Sequence, residues 1–451
     1  MKGMGLYRGK RDPRMRHLTH SLAGGLALLL ASTCGNGVDA RRTRIVLITA
    51  DTLRFDSFTA AGMPHTRRFA EAGLVFENAF AACSTTQPTH ASIFTGLHPW
   101  QHGVTRNGAV LEEDHETLAE HLLAQGFDTA AFVASFPVHS KFGFAQGFRT
   151  YRDDFVLGYS GFEQWGGEQV VDGKFHSPAD WVTDAAIAHM QASEAPRQFL
   201  WLHYFDPHDP YGDRGEQRVG LGRLKSLAAS GDPTLPNALE QARSLYEFDV
   251  AFLDEALGRL FAFLERDGED RETHVLLTSD HGESFGEEGA LGHGFRLTRE
   301  QVHVPCFLVS PRVEPGIRED YVGSVDVAAT LLALAASPAS PKEGHDLLAG
   351  ESQREAVFGM RKVFKRNRSR SEGAAPTEAE GPWFFLAGKD GLLAGNSERV
   401  FRDDVGDREA DFEASAGVRT LFSLFERQLA GTETRDVVDQ ETLDILKSLG
   451  Y

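Results

Sequence analysis

Short apolar runs alternate with longer amphipathic stretches along most of the chain. The apolar runs have the length of buried β-strands; they lie at residues 45–49, 129–133, 199–205, 274–278 and 307–309. The stretches between them carry apolar residues at helical spacing; they include residues 117–126, 177–188, 237–266 and 326–336. This alternation predicts an α/β fold, in which helices cover both faces of a mostly parallel sheet.

Two of the predicted helices have clear start signals. Thr117 and Glu120 have the spacing of a capping box, and Gly126 stands where a helix C-cap is expected. Pro178 follows Ser177, and proline is favoured at the first helical position. These signals support the assignment of helices rather than strands to the two segments.

Polar side chains follow two of the predicted strands, and a hydroxyl opens a helix between them. Asp51 follows the run at 45–49, Asp280 and His281 follow the run at 274–278, and Thr86 opens a helix between them. Open α/β sheets place their chemistry at the carboxyl ends of strands, so these side chains are expected to meet. Two carboxylates, an imidazole and a hydroxyl then predict a metal-activated nucleophile. The alternative is that Asp51 and Asp280 merely cap helices.

Composition and charge narrow the classes of partner. The chain has 451 residues, of which 41% are hydrophobic, so it can bury a sizeable core. Its formal net charge of -19 argues against nucleic acid as a partner, because phosphate backbones are bound by basic surfaces. An anionic substrate would need a strong local attraction, which a bound cation can supply.

The first 40 residues are not expected to belong to the fold. Six basic residues precede a short apolar run at 18–31, which is typical of an export signal and predicts a periplasmic or membrane-anchored lipoprotein location. Residues 31–34 partly resemble a lipoprotein cleavage box, which leaves a lipid anchor at Cys34 open. Beyond this leader, we predict a catalytic domain at 41–350, a basic low-complexity insertion at 351–382 and a C-terminal subdomain at 383–451.

A set of motifs, in this order, resembles the sulfatase family of the alkaline phosphatase superfamily. The motifs are LITADTLR at 47–54, TQPTHASIFTGLHP at 86–99, FDPHDPY at 205–211, TSDHGE at 278–283 and GHG at 292–294. The resemblance implies an alkaline-phosphatase-like mixed, mostly parallel sheet between helices, with a small C-terminal subdomain. It also implies one divalent metal ion (Mn, Zn or Ca) held by Asp51, Asp280 and His281, with Thr86 as fourth ligand and nucleophile.

The chain departs from typical sulfatases at the nucleophile. Thr86 stands where the family has a cysteine or serine that becomes formylglycine, and His90 replaces an arginine. Threonine cannot form that aldehyde, so its ester must be hydrolysed by water, as in relatives that act on phosphate and phosphonate esters. The sulfate-binding lysine is missing after Val133. An imidazole among fewer oxygens suits Mn²⁺ or Zn²⁺ better than Ca²⁺.

Three further histidines are candidate catalytic residues. The resemblance implies that His208 binds a substrate oxygen, and we expect the same of His90. His293 could donate a proton to the leaving group, or it could be only a turn residue. A second metal, held by Asp206 and Asp209 with His208 or His293, stays open. His203, in the middle of a strand, is expected to be a hydrogen-bonded core residue.

These features together predict a metal-dependent hydrolase of sulfate, phosphate or phosphonate esters that forms a covalent intermediate on Thr86. The expected partner is a small anionic ester, such as a sulfated or phosphorylated glycan or a lipid head group. Two alternatives are a phosphoethanolamine-type phosphotransferase and a non-catalytic sulfatase-like binding protein. Cys83 and Cys306 could pair or remain free thiols.

Overall fold

The computed structural model of the protein describes residues 42–430, apart from 60–61, 159–163, 166–167, 170–173, 213–214, 216, 268–270, 295, 342, 351–353, 363–381, 390, 399 and 403–411. The predicted leader at 1–40, with Cys34, lies outside the described residues, so export and lipid anchoring stay predictions. Among the described residues, no helix combines the length and the apolarity that a membrane crossing requires.

The strands and helices alternate through the first three quarters of the chain. The strands are β1 (Thr43–Ala50), β2 (Leu74–Phe80), β3 (Asp128–Val133), β4 (Thr150–Arg152), β5 (Leu157–Gly158), β6 (Gln164–Trp165), β7 (Glu168–Gln169), β8 (Lys174–His176), β9 (Arg197–Tyr204), β10 (Glu272–Ser279), β11 (Ser284–Phe285), β12 (Leu291–Gly292), β13 (Cys306–Val309), β14 (Gly316–Gly323), β15 (Ala356–Lys362), β16 (Pro382–Gly388), β17 (Gly391–Gly395) and β18 (Val400–Arg402). The α-helices are α1 (Phe55–Thr59), α2 (Pro64–Ala70), α3 (Thr86–Thr95), α4 (Pro99–His102), α5 (Leu118–Ala124), α6 (Ala179–Ala192), α7 (Leu221–Ser230), α8 (Leu235–Asp267), α9 (Arg299–Val302), α10 (Asp326–Leu334) and α11 (Phe412–Ala430).

An eight-stranded sheet forms the centre of the molecule, in the order β14-β2-β13-β10-β1-β9-β3-β4. Only β13 is antiparallel to its neighbours, β10 and β2; the other pairs are parallel. Every residue of β1 is buried, as expected for a central strand that is covered on both faces. The predicted mixed, mostly parallel sheet is therefore confirmed.

Local signals place two of the surrounding helices. Thr117 Oγ1 accepts a hydrogen bond from the backbone N–H of Glu120, and the Glu120 side chain accepts one from the backbone N–H of Thr117, so the predicted capping box is present at the start of α5. Helix α6 begins one residue later than predicted, because Pro178 has an extended backbone and is the N-cap. The helices α2, α6 and α8 pack together, and α3, α5 and α10 form a second group.

The C-terminal part of the described chain forms a separate small layer. An antiparallel sheet, β15-β16-β17-β18, packs with α11 around its own apolar cluster, which includes Met360, Phe384 and Phe422. This confirms the predicted C-terminal subdomain. Strand β15 lies within the range 351–382 that was predicted to be an insertion, so the insertion does not include residues 356–362. The low-complexity residues 363–381 lie outside the described residues.

The two described cysteines do not form a disulfide. Cys83 and Cys306 are both buried and free. Each is a small apolar side chain of the core, which agrees with the free-thiol alternative.

Candidate active site and metal centre

The carboxyl ends of β1 and β10 bring three predicted metal ligands together. The two strands are parallel neighbours, and Ala50 is opposite Ser279, so Asp51 and Asp280 follow side by side. Ligand atoms of Asp51, Asp280 and His281 all lie within 4.8 Å of one another, and the three side chains are fully buried. The alternative in which the aspartates only cap helices does not explain this convergence.

Each of the two carboxylates has one oxygen atom with no hydrogen-bond partner among the described residues. These atoms are Asp51 Oδ1 and Asp280 Oδ2. The other oxygen of Asp280 is satisfied, since it accepts from the backbone N–H of His281 at 2.8 Å and of Thr52 at 3.3 Å. Buried polar atoms are normally paired, so two unpaired carboxylate oxygens that face one point fit a bound cation.

The electrostatics of the carboxylates lead to the same conclusion. Burial, together with the neighbouring Asp280 carboxylate, raises the pKa of Asp51 well above its usual value. Burial also raises the pKa of Asp280, to about 6. The protein alone therefore does not provide enough positive charge to stabilise both carboxylates, and a divalent ion would provide it.

His281 presents a nitrogen lone pair to the two carboxylates. Its Nδ1 lies 3.0 Å from the Gly282 carbonyl oxygen, which can only accept, so Nδ1 carries the proton. Its Nε2 is then unprotonated, and lies 3.8 Å from Asp51 Oδ1 and 3.6 Å from Asp280 Oδ2. Burial lowers the pKa of His281 to about 3, so the ring is neutral and suited to bind a metal.

The position of His281 is fixed by its neighbour Gly282. The Gly282 N–H donates to the Gln301 carbonyl oxygen at 2.8 Å. A Cβ atom at residue 282 would overlap the Glu300 carbonyl oxygen. Only glycine permits this close approach between the two backbones.

The turn that carries Asp51 holds a strained residue. Thr52 has φ of 57°, which is the left-handed region that a β-branched residue rarely adopts. The Tyr246 hydroxyl donates to the Thr52 carbonyl oxygen at 2.9 Å and accepts from the Arg54 N–H at 3.0 Å, and these bonds hold the turn. Strain that is held in place in this way is common beside active sites.

Thr86 completes the predicted set of four. It is the first residue of α3 and is almost fully buried. Its Oγ1 lies 3.5 Å from Asp51 Oδ2 and 3.5 Å from His281 Nε2. The hydroxyl therefore lies beside the Asp51 carboxylate and the unprotonated imidazole nitrogen of His281.

The predicted role of His90 as a ligand of substrate oxygen is not supported. His90 lies one helical turn after Thr86 and is fully buried. Its Nδ1 lies 2.8 Å from the Thr86 carbonyl oxygen, and its Nε2 lies 3.0 Å from Thr49 Oγ1. Both ring nitrogens are already hydrogen bonded inside the protein, so neither is available to a substrate.

His208 and His293 lie beside the metal ligands, but in tautomers that the sequence could not reveal. The ring centroid of His293 is 4.4 Å from that of His281 and 5.1 Å from that of His208. His208 Nδ1 lies 2.7 Å from the Asp209 carbonyl oxygen, and His293 Nδ1 lies 3.2 Å from Glu283 Oε1. With Nδ1 as the donor in each ring, both histidines direct a lone pair, rather than an N–H, from Nε2.

Burial keeps these two rings neutral. It lowers the pKa of His208 to about 4 and that of His293 to about 3. The prediction that His293 donates a proton, and that His208 donates a hydrogen bond to an anionic oxygen, is therefore not favoured in this arrangement.

Among the described residues, the cluster of Asp51, Asp280 and His281 is also the one group whose geometry could hold a metal, so the second metal site is not supported.

A comparison with family models decides the classification. The model described as Sulfatase matches residues 43–337, which is more than half of the chain. The chain belongs to the sulfatase family. This membership confirms the predicted resemblance and the predicted enzyme class, a sulfatase-like ester hydrolase.

The curated relatives of this chain differ in the activities that their names state. The multifunctional alkaline phosphatase superfamily protein PehA of Trinickia caryophylli is 25% identical over 377 residues, which cover 64% of this chain and 73% of that protein. The endo-4-O-sulfatase of Bacteroides thetaiotaomicron is 23% identical over 313 residues, which cover 60% of this chain and 62% of that protein. This chain thus spans less than two thirds of the length of some of the curated relatives that it matches.

Solved structures share the fold of this chain. The phosphonate monoester hydrolase of Silicibacter pomeroyi matches with a TM-score of 0.63 and 19% identity, over 89% of this chain and 96% of that one. The phosphonate monoester hydrolase of Agrobacterium radiobacter matches with a TM-score of 0.64 and 18% identity, over 87% and 96% of the two chains. The alkaline-phosphatase-like fold predicted from the sequence is confirmed.

Two residues of the candidate site were not predicted to act in it. Glu283 is fully buried, burial raises its pKa, and it binds His293. His203 was predicted to be a core histidine, which is correct, but its ring also lies 4.9 Å from that of His90 below the site. The position of Glu283 inside the TSDHGE motif was the one available signal for its role.

Proposed function

We propose that this protein hydrolyses sulfate or phosphonate esters by a metal-dependent attack of Thr86, through a covalent threonyl ester. The observation that carries the proposal is the position of Thr86 Oγ1, which lies 3.5 Å from both Asp51 Oδ2 and His281 Nε2. The same His281 Nε2 lies 3.8 Å from Asp51 Oδ1 and 3.6 Å from Asp280 Oδ2, the two unpaired carboxylate oxygens. Threonine is a weak nucleophile unless its proton is removed or its oxygen is coordinated.

Asp51, Asp280 and His281 would hold the metal ion, and Mn²⁺ or Zn²⁺ fits their mixture of carboxylate and imidazole better than Ca²⁺. A divalent ion bound there would act as a Lewis acid, which lowers the pKa of a coordinated hydroxyl and draws charge from a non-bridging oxygen.

The residues of the chain can account for both chemical steps. In the first, Thr86 Oγ1 forms a bond to sulfur or phosphorus, Asp51 Oδ2 is placed to accept the Thr86 proton, and the alcohol departs as an anion that takes a proton from solvent. In the second, water forms a bond to the same sulfur or phosphorus, the bond to Thr86 Oγ1 breaks, and Thr86 recovers its proton from Asp51. His293 Nε2, with its ring oriented by Glu283, has a lone pair that can take the proton of that water.

The charges around the site favour substrates with a single negative charge on the reacting group. Asp51, Asp280 and Glu283 are buried acidic residues of the site. Ser135 follows β3 where the family lysine is missing, and Arg54 is bound to Asp56 and Glu287 at 2.7 Å each. A sulfate ester, a phosphonate monoester or a phosphodiester therefore fits better than a phosphate monoester, which carries two charges at neutral pH.

The decisive experiment is Thr86→Ala. Hydrolysis of p-nitrophenyl sulfate, p-nitrophenyl phenylphosphonate, bis-p-nitrophenyl phosphate and p-nitrophenyl phosphate would be measured with Mn²⁺, Zn²⁺ or Ca²⁺ added. We expect activity on the monoanionic esters and a loss of about 10⁴-fold in kcat in the variant, because the nucleophile is removed. Metal affinity, measured by equilibrium dialysis, should fall far less than kcat, because Asp51, Asp280 and His281 remain.

Thr85→Ala is the matched control for this variant. Thr85 is the adjacent threonine, but its Oγ1 contacts Cys83 Sγ at 3.1 Å instead of the metal-site residues. The control should retain activity. A Thr86→Ala enzyme as active as the parent would refute the covalent mechanism, and release of alcohol without equivalent sulfate or phosphonate would favour the phosphotransferase alternative. Absence of turnover in the metal-loaded parent would favour the non-catalytic alternative.

The natural substrate stays a prediction. A sulfated glycan or a phosphorylated lipid head group agrees with the proposed chemistry. Assays of desulfation on sulfated oligosaccharides and of head-group release from phospholipid vesicles would distinguish the two.

A further inference from the structure

A continuous row of hydrogen bonds runs beneath Thr86, into the interior of the sheet. His90 Nδ1 lies 2.8 Å from the Thr86 carbonyl oxygen, and His90 Nε2 lies 3.0 Å from Thr49 Oγ1. Thr49 Oγ1 lies 3.2 Å from His203 Nδ1, and His203 Nε2 lies 2.9 Å from Ser135 Oγ. We name this row, Ser135–His203–Thr49–His90, the buried relay.

The direction of each bond in the buried relay follows by elimination. The Thr86 carbonyl oxygen can only accept, so His90 Nδ1 carries a proton and the Nε2 of the neutral ring accepts from the Thr49 hydroxyl. Thr49 has then used its single proton. His203 Nδ1 must therefore donate to Thr49 Oγ1, and His203 Nε2 must accept from the Ser135 hydroxyl.

Thr49 is the centre of the buried relay. Besides its bonds to the two histidines, its Oγ1 accepts from Trp201 Nε1 at 3.0 Å, so one donor position and both acceptor positions are filled. Thr49 and His203 are opposite each other on the parallel strands β1 and β9. Thr49, His90, His203 and Ser135 are all fully buried, so water does not compete for their bonds.

The buried relay connects the first turn of α3 with the ends of three strands. Thr49 is in β1, His203 is in β9 and Ser135 follows β3. The relay also lies against the metal ligands, since His203 Nε2 is 4.0 Å from Asp51 Oδ2 and His90 Nδ1 is 3.8 Å from Asp280 Oδ2. Neutral rings at these places set positions without adding charge to the site.

We propose that Ser135, His203 and Thr49 are positioning residues, which act through His90 to hold Thr86 in line for its attack. The inference rests on the proposed function of Thr86. It predicts a specific kinetic signature, since a nucleophile that is displaced by about 1 Å can lose about 10²-fold in rate while the substrate still binds. The relay should therefore affect kcat more than KM, and should leave the metal ligands intact.

The sharpest variant is Thr49→Val, because valine keeps the shape of threonine and replaces the hydroxyl with a methyl group. Thr49→Ser is the rescue variant, since it retains the hydroxyl. Thr183→Val is the matched control: Thr183 is also fully buried, and its Oγ1 is 3.0 Å from the Tyr204 hydroxyl, but it belongs to α6 instead of the relay. The readouts are kcat, KM, metal affinity by equilibrium dialysis and the midpoint of thermal unfolding.

We expect Thr49→Val to lose about 10²-fold in kcat with KM and metal affinity close to those of the parent. Thr49→Ser should recover most of kcat. Thr183→Val should lose stability but keep kcat. The proposal is overturned if Thr49→Val keeps kcat, if Thr49→Ser is as impaired as Thr49→Val, or if metal affinity falls in proportion to kcat.

A second variant covers the case in which Thr49→Val does not fold. Ser135→Ala removes only the outermost hydrogen bond, so it should fold and show a smaller fall of kcat at unchanged KM; an unchanged kcat would also overturn the proposal. Failure of the proposed function itself is recognised separately. In that case Thr86→Ala stays active, whereas an inactive Thr86→Ala beside a fully active Thr49→Val refutes the buried relay alone.

Discussion

A charged side chain is buried at each end of strand β1, but only one of the two has protein partners for all of its charge. At the amino end, Arg44 is almost fully buried; its Nη1 binds Asp267 Oδ2 at 2.6 Å and its Nε donates to Gln198 Oε1 at 2.9 Å. At the carboxyl end, Asp51 is fully buried, yet its Oδ1 has no hydrogen-bond partner among the described residues. Arg44, whose charge is matched, and Asp51, whose charge is not, are only seven positions apart in the sequence.

The difference shows how structural and functional polar groups can be distinguished. A buried charge whose partners are all protein atoms contributes to the fold, although its net contribution is small because of desolvation. A buried carboxylate that lacks a partner destabilises the fold until a ligand binds. The amino end of β1 is therefore a structural site, and the carboxyl end has the features expected of a ligand site.

The strongest test of this contrast is Asp51→Asn. Metal affinity should fall by on the order of 10²-fold or more, because a charged ligand is lost. The metal-free protein should at the same time become more stable, because the variant removes a carboxylate whose pKa is raised by burial. Thermal unfolding with EDTA and with added Mn²⁺ or Zn²⁺ measures both effects. A variant that is less stable without metal, and equally stabilised by it, would contradict the assignment.

At the other end of the strand, Arg44→Met should lose about 2 kcal/mol of unfolding free energy, because hydrogen bonds of a charged group are removed. Its kcat should equal that of the parent, since Arg44 lies at the opposite end of β1. Urea unfolding and steady-state kinetics give the two values. Asp267→Asn is the milder partner variant, as Asp267 is 41% exposed and can be solvated. A loss of kcat in Arg44→Met would remove the contrast between the two ends.

A third buried polar side chain, His102, extends the comparison to the pH dependence of stability. His102 Nδ1 accepts from the Val104 N–H at 3.1 Å and its Nε2 lies 3.0 Å from Ser92 Oγ, so it is matched as a neutral ring. Burial lowers the pKa of His102 from 6.5 to about 3. The unfolded chain therefore takes up a proton before the folded one does, and stability falls as pH drops from 6.5 toward 3.

At pH 5.5 this histidine should account for about 1.4 kcal/mol of the acid-induced loss of stability. The difference between the parent and His102→Asn isolates it: the variant is less stable at pH 7.5, and its disadvantage should shrink as pH falls. Urea unfolding of the two proteins at several pH values, with EDTA present, makes the measurement. A disadvantage that is independent of pH would show that folding does not change the pKa of His102.

The convergence of the candidate metal-site residues could be predicted because each has a local signal. Asp51, Asp280 and His281 follow apolar runs, and Thr86 opens a helix, so a parallel sheet brings them to one edge. The roles of His90, His208 and His293 could not be derived in the same way. They depend on which atom binds each ring nitrogen, and the Thr49 hydroxyl that binds His90 is 41 residues away in the sequence.

The order and direction of the outer strands could not be predicted from the sequence either. Strand β14 pairs with β2 although more than 200 residues separate them, and β13 alone is reversed. Strand β15 ends in Arg361 and Lys362 and precedes a polar segment, so its sequence is typical of a surface insertion. Pairing with β16 makes it a strand, which is a tertiary effect that overrides local preference.

The backbone contact at Gly282 has a consequence for anyone who wishes to redesign this enzyme. The segment that contains Glu300 and Gln301 packs against Gly282 and leaves no room for a side chain there. This contact sets the position of the adjacent His281 imidazole. Substituting only the candidate metal ligands, in order to change which metal binds, would leave this backbone contact unchanged. A library that varies residues 299–302 together with position 281 addresses the geometry at its source.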